Sequence, residues 1–381
     1  MLCSPASRRL YSLTTLIYLE PMKRAVQTAI GRLVPHPLGL LFVKDRSLMR
    51  GRLTLTRLLN LALVHTEMWL GRTQLISRPY ELCIDVSNKC NLRCPFCPTG
   101  RREPGRSKGH ISFDLFSSIL DELAPYALKL ELFNWGEAFF NPELPALIEY
   151  AHQKRLVTMI SSNLSFRLEE DYIRSIIRAG LTYLTASIDG WDQESYEVYR
   201  RGGKFDLALE NLRNFLRLRR ELGRQFPQIC WQYLVFRHNE AGVARARELA
   251  ADIGVDKFTV AAGLYDDPNW APEGQYSLDY LDVRTTRCAW LWTKAVFHWD
   301  GGIASCCQGF YKHDDFAHWE PGKFGRLWNN EKFVAARQIW TAPASPLPEG
   351  HYCTNCDKVR FFRGLPLASE RLKGSTKTLA Q

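Results

Sequence analysis

Three cysteines, Cys90, Cys94 and Cys97, stand inside the eleven residues NKCNLRCPFCP (88–98), separated by gaps of three and two. Thiolates are soft metal ligands, and a closed zinc or iron–sulfur site takes four protein ligands. Three on one short loop leave a metal position without a side chain. A structural zinc site would close it with a ligand from elsewhere, whereas a [4Fe–4S] cube on three thiolates keeps one iron open to an outside molecule. A second group, Cys288, Cys306, Cys307, Cys353 and Cys356, follows far down the chain; Cys3, Cys83 and Cys230 stand alone among the eleven cysteines. Lone cysteines read as ordinary small side chains, buried or exposed. Clusters at short, odd gaps, with no convincing secretory signal, argue for metal ligation in a reducing cytoplasm over a disulfide framework.

Residues of this kind need a frame. From residue 81 the sequence alternates apolar strands with amphipathic helices: strands at 81–86, 128–134, 156–161, 183–188, 229–236 and 257–261, and helices at 113–123, 144–153, 169–179, 205–222 and 240–253. Gly180 and Gly254 fall just past two of the helices, where a left-handed cap is expected. Strict alternation means a parallel sheet. Six strands in this length predict an α/β fold, a partial (β/α)6 TIM-like barrel open on one side. Chemistry on such folds sits on the loops after the strands. The unusual residues fall there: the cysteine loop after the first strand, Trp135, Gly136 and Glu137 after the second, Ser162 and Asn163 after the third. Ser187 and Asp189 end the fourth, and His238 and Asn239 follow the fifth.

After residue 263 the pattern changes to a linker-like stretch, then a hairpin turning at Asp300, Gly301 and Gly302. A helix at 331–340 and a proline-rich loop lead to Cys353 and Cys356. So little apolar material around so many cysteines predicts a small C-terminal auxiliary domain nucleated by metal. The division expected is 1–80, a basic, mainly helical segment; 81–263, the barrel; 264–367, the auxiliary domain; and 368–381, a loose tail.

With its aromatic Phe96 just before the last thiol, the cysteine loop resembles the hallmark of the radical S-adenosylmethionine (SAM) superfamily, and further motifs follow in order over roughly residues 80–360. The resemblance implies a [4Fe–4S] cluster on Cys90, Cys94 and Cys97, with SAM chelating the open iron. Reductive cleavage of SAM would then give a 5′-deoxyadenosyl radical that takes hydrogen from a substrate carbon. NWGEAFFNPEL resembles the family's Gly-Gly-Glu-Pro segment, with Trp135 and Ala138 as departures. By that resemblance Gly136 lets the backbone approach, and Glu137 receives the methionine ammonium. Asn163 in SSNLSF becomes a cofactor contact. SIDGWDQESYEVYRRGGKFD resembles the fourth-strand segment of one subgroup, in which Ser187 and Arg200 hold the cofactor carboxylate and Asp189 shapes the loop.

The spacing Cys288, Gly302, Cys307, then Cys353 and Cys356 resembles SPASM/Twitch auxiliary domains and implies one further iron–sulfur cluster. Gly301 and Cys306 have the same separation as Gly302 and Cys307, so spacing does not choose between the two adjacent thiols. The subgroup's chemistry implies net oxidation or crosslinking of a peptide, sugar or lipid-linked substrate, with electrons from a low-potential donor such as a ferredoxin or flavodoxin. No cobalamin-binding domain is evident.

Composition bounds the alternatives. The 381 residues are 46% hydrophobic and 24% charged, with no apolar run long enough for a spanning helix. Through Tyr80 twelve Lys and Arg stand against three Asp and Glu, an excess of nine within a net charge of +10. Such a segment reads equally as a solvated helical face or as a contact for an acidic partner, an anionic membrane surface included. The location expected is cytoplasmic, with a peripheral membrane contact as one reading of that charge. Met22 offers a second start. A zinc protein that binds nucleic acid would also use a basic front and cysteines, but it leaves the ordered rim motifs unexplained.

Overall fold

The computed structural model describes residues 51–273 and 287–365; the basic run before residue 51, Cys3, part of the predicted linker and the polar tail lie outside the described residues. In strand β1 (Glu81–Ile84), Leu82 and Ile84 are fully buried on one face, while Glu81 and Cys83 take the other. The same period-two sorting runs through β2 (Lys129–Glu131), β3 (Val157–Ser162), β4 (Tyr183–Ser187) and β5 (Gln228–Val235), while the edge strand β6 (Lys257–Ala262) is half exposed along its length. Leu130, Ile160, Leu184, Ile229 and Trp231 are sealed beneath helices. Glu131, Met159, Thr185 and Gln232, on the opposite face, are only half buried. A parallel sheet packed on both faces would be apolar throughout. Here one face is polar and half open, so it lines a chamber.

The sheet runs β6-β5-β4-β3-β2-β1-β7-β8-β9. Every neighbouring pair from β6 to β7 (Lys294–Phe297) is parallel, with Leu82 opposite Leu130 on one side and Ala295 on the other. The hairpin of β7 and β8 (Gly302–Ala304) turns at the predicted residues, and β9 (Ala317–His318) adds an antiparallel edge. The hairpin is thus seated directly on β1, extending the barrel sheet. The partial barrel expected from the sequence is the fold observed.

Helix α1 (Leu55–Trp69) precedes the barrel. Its outer side carries α2 (Phe113–Leu123), α3 (Leu144–Gln153), α4 (Glu170–Arg178), α5 (Gln193–Tyr199), α6 (Phe205–Glu221) and α7 (Val243–Ile253). In α2, Phe116, Ile119, Leu120 and Leu123 recur at helical spacing and are the buried face. Gly180 and Gly254 take positive φ, 90° and 83°, just past α4 and α7, as expected of helix C-caps. The start of α7 differs from expectation: Arg237–Gly242 is a 3-10 turn, so the α-helix begins at Val243. Helix α5 was not expected from periodicity. Its start is a capping box, in which Ser195 N donates to Asp192 Oδ1 at 2.9 Å and Asp192 N to Ser195 Oγ at 3.3 Å.

One charge of the basic segment has a structural use. Arg57 of α1 is buried and donates to the carbonyls of Ala124 and Lys154 at 2.9 and 2.8 Å. Those carbonyls lie at the C-terminal ends of α2 and α3, where a cation offsets the helix dipoles.

Candidate active site

The loop after β1 folds its three thiols into an apolar cage. Arg93 N donates to Arg201 O at 2.9 Å and Cys97 N to Cys94 O at 3.2 Å, which ties the loop to the segment after α5. Leu92, Cys94, Tyr199 and Phe236 are buried together, with Cys90, Phe96, Cys97, Leu234 and Trp270 packed around them. Phe96 meets Trp270 edge-on at 4.9 Å. Burial pushes the Cys90 thiol up to about 12, with Cys94 and Cys97 adding to the rise, and Cys94 up to about 11, where Cys97 adds and Arg200 subtracts. Thiolates in such a cage need a compensating positive centre, and metal ligation with proton release supplies one. Among the described residues, no three His, Cys, Asp or Glu side chains are placed to hold a single metal ion.

Glu137 lies across from the thiols, after β2. A Cβ on Gly136 would sit 1.8 Å from Ser87 O and 2.6 Å from Asn88 Cα, so only glycine lets the two loops approach this closely. Glu137 is fully buried, and Asn163, after β3, donates to its Oε2 twice, from the backbone at 3.0 Å and from Nδ2 at 2.7 Å. Burial raises its carboxyl to about 7, against the lowering pull of the Asn163 amide and of Arg200. Asn163 Nδ2 also reaches Asn91 Oδ1 of the cysteine loop at 3.1 Å. An ammonium brought here would find a waiting carboxylate.

The fourth strand contributes a buried ion pair. Arg200 Nε donates to Asp189 Oδ2 at 2.6 Å, and Leu234 N donates to Asp189 Oδ1 at 2.7 Å. Burial opposes the charge on Arg200, but Asp189 and then Cys94 outweigh it and hold the guanidinium protonated. Within the pair, Arg200 lowers the Cys94 thiol more than Asp189 raises it. Ser187 Oγ lies 3.0 Å from Ser161 Oγ on the chamber face. The predicted rim residues Cys90, Cys94, Cys97, Phe96, Gly136, Glu137, Asn163, Asp189 and Arg200 are therefore one neighbourhood, with Ser187 on the same chamber wall.

The second thiol group is also brought together, and the structure separates its two adjacent members. Burial raises the Cys288 thiol to about 12, and its next influences are Cys306 and Cys356. Cys353 is raised by burial and then by Cys306, Cys288 and Cys356. Cys307 neighbours Cys306 but otherwise faces Lys294 and Glu131 in the chamber. Cys288, Cys306, Cys353 and Cys356 are thus mutual neighbours, and Cys307 points toward the barrel strands.

Sequence reasoning did not single out Tyr199, Phe236 or Trp270, which wall the thiol cage. Periodicity marks such aromatics only as core. The three-thiolate donor set, the glycine-dependent approach at Gly136 and the buried carboxylate and guanidinium fit a [4Fe–4S] cluster with an amino-acid-bearing cofactor. Outside this site, α1 leaves Leu55, Leu59 and Trp69 exposed at 72%, 62% and 79%. Among the described residues no helix is long and apolar enough to cross a membrane.

Residues 84–223 match the family described as the Radical SAM superfamily. The tungsten-containing aldehyde ferredoxin oxidoreductase cofactor-modifying protein of Pyrococcus furiosus is 22% identical over 289 residues, covering 68% of this chain and 80% of that one. The PqqA peptide cyclase of Granulibacter bethesdensis is 26% identical over 190 residues, covering 50% of this chain and 49% of that one. For the other leading curated relatives, too, the chain spans about half their length or less. Streptococcus suis SuiB bound to S-adenosylmethionine shares the fold, with a TM-score of 0.57 at 14% identity over 81% of this chain and 77% of that one.

Proposed function

We propose, for a chain whose residues 84–223 place it in the radical SAM superfamily, that it is an oxidoreductase of the SPASM/Twitch type acting on a peptide. One observation carries the reading: three thiols, a buried carboxylate and a buried guanidinium meet on loops that follow β1, β2 and β4. When bound, the cluster and SAM supply the 5′-deoxyadenosyl radical that abstracts hydrogen from an unactivated carbon. Cys90, Cys94 and Cys97 would hold the [4Fe–4S] cluster that the family implies. Glu137 receives the methionine ammonium, and Asn163 fixes the orientation of the receiving oxygen. Arg200, oriented by Asp189, would hold the methionine carboxylate, with Ser187 on the same chamber wall. Phe96, Tyr199, Phe236 and Trp270 keep water from the thiol cage.

In this reading residues 81–263 carry the radical chemistry and 264–367 an auxiliary cluster. Its four ligands are Cys288, Cys306, Cys353 and Cys356, with Cys306 taken over Cys307 because Cys306 neighbours the other three. A cluster held by these four thiols would supply an electron acceptor, the chemistry that net oxidation or crosslinking needs. The peptide cyclase among the relatives favours a peptide over a sugar or lipid-linked substrate. Iron analysis of anaerobically reconstituted protein tests the assignment. Wild type should hold about eight irons, and Cys306→Ala about four. Cys307→Ala should keep the wild-type content. The reverse result for the two variants would make Cys307 the ligand, and zinc in place of iron would end the reading.

A further inference from the structure

The polar end of the chamber holds two side chains that nothing among the described residues satisfies. Asp85 follows β1 and His298 follows β7; Asp85 N donates to Phe297 O at 2.8 Å, so the two stand side by side on neighbouring parallel strands. By the alternation of their strands, Asp85 shares the chamber face with Glu81 and Cys83, and His298 shares it with Lys294 and Val296. Both are essentially without solvent exposure, at 1% and 0%. Among the described residues, neither oxygen of Asp85 and neither ring nitrogen of His298 has a hydrogen-bond partner. Buried polar groups are almost always paired, so two adjacent exceptions ask for an explanation.

The obvious internal partner is Arg106, and its fork is spent elsewhere. Its side chain is 1% exposed, and it binds Asp300 and Asp315 at 2.6 Å each and donates to the carbonyls of Phe310 and Tyr311 at 3.2 Å. It pulls on Asp85 through space without donating to it. The Trp135 amide lies close enough to lower the Asp85 carboxyl, but outside the geometry of a full hydrogen bond to either oxygen. His298 Nε2 stands 3.5 Å from Asp315 Oδ1, outside hydrogen-bond geometry. Three carboxylates, Asp85, Asp300 and Asp315, therefore face one buried guanidinium, with Lys312 at the exposed rim 3.7 Å from Asp300. His298 adds no balancing charge, because burial and then Arg106 hold its ring neutral.

Ionised, Asp85 offers only acceptor positions, a neutral imidazole offers one more, and the surrounding charge is in negative excess. The complementary group carries several N–H donors and a positive charge. We propose that Asp85 and His298 form a subsite for a primary ammonium group of the substrate, on the chamber wall beside the cysteine loop. The inference rests on reading the chamber as the substrate site. It narrows the substrate class to molecules with a free amine, such as a lysine side chain or a peptide amino terminus. Arg106, by fixing Asp300 and Asp315, is a positioning residue that keeps the negative field in place.

Reconstituted full-length holoenzyme can be titrated calorimetrically with n-propylammonium chloride and, as a neutral control of similar shape, n-propanol. The expected result is saturable binding of the ammonium and none of the alcohol. Asp85→Asn should weaken it by about tenfold or more, the usual effect of losing a hydrogen bond to a charged group. His298→Leu should weaken it less. A thermal melt of Asp85→Asn should show a midpoint no lower than wild type, since the carboxylate holds nothing in place. No ammonium binding, equal binding in Asp85→Asn, or a collapsed Asp85→Asn fold would each overturn the proposal. Wild type that releases 5′-deoxyadenosine from SAM yet ignores propylammonium refutes the subsite alone. Wild type that releases none refutes the chamber's radical chemistry.

Discussion

Replacing Asp85 by Asn should stabilise the protein, and the size of the gain should follow pH. Burial lifts the Asp85 carboxyl from 3.8 to about 7, against the lowering pull of Arg106 and of the Trp135 amide. A shift of about three units corresponds to about 4 kcal/mol between the charged and neutral forms. Because the folded-state value is the raised one, the folded chain holds a proton that the unfolded chain has released between those limits. Wild-type stability is thus unpenalised below about pH 4, falls as pH rises toward 7, and is level above it. Asn carries no charge and skips this penalty, while its unpaired amide costs about as much as the unpaired protonated acid. Wild type and Asp85→Asn should therefore coincide below about pH 4 and separate by up to about 4 kcal/mol by pH 8, with the variant the more stable. Urea titrations of the anaerobically loaded proteins, followed by tryptophan fluorescence across this pH range, measure the gap from the midpoints and a shared slope. A less stable variant at pH 8, or a gap that ignores pH, would show that Asp85 has an internal partner and would refute the reasoning.

Two further substitutions test the frame of the site. Gly136→Ala should abolish iron loading at the cysteine loop, because the new methyl would meet the Ser87 carbonyl at 1.8 Å and only backbone could move aside; iron content of the reconstituted variant decides it. Asp189→Ala should cost about 3–5 kcal/mol in a urea titration, since it strands the Arg200 guanidinium without its partner in the interior. A loss under about 1 kcal/mol would mean the pair is solvated, as exposed ion pairs are.

The barrel was legible because its two periodicities differ. Leu82 and Ile84 alternate with Glu81 and Cys83, while Phe116, Ile119, Leu120 and Leu123 recur every three or four residues, and each pattern names its element. The rim residues were legible through motif order, and the structure gathers most of them around one cage. Less legible were features set by tertiary contact. The short helix α5 depends on a capping box more than on periodicity, and β9 is two residues long. The seating of the hairpin on β1 joins residues more than two hundred positions apart. Asp85 sits in plain view in ELCIDV, yet its isolation arises only when Arg106 turns to Asp300 and Asp315. The choice between Cys306 and Cys307 is likewise beyond spacing, because adjacent residues face opposite ways and only the fold shows which way the other thiols lie.

The central claim is that the Cys90, Cys94 and Cys97 loop and the buried Glu137 together bind and cleave SAM. Its most direct measurement is 5′-deoxyadenosine released during anaerobic incubation of the iron-loaded protein with SAM and dithionite. Wild type should accumulate it even without substrate. Glu137→Gln should release at least about tenfold less, consistent with loss of one charge-assisted contact to the cofactor ammonium, and the triple Cys90→Ala, Cys94→Ala, Cys97→Ala variant should release none. An iron-loaded wild type that leaves SAM intact, or a Glu137→Gln variant as active as wild type, would contradict the account.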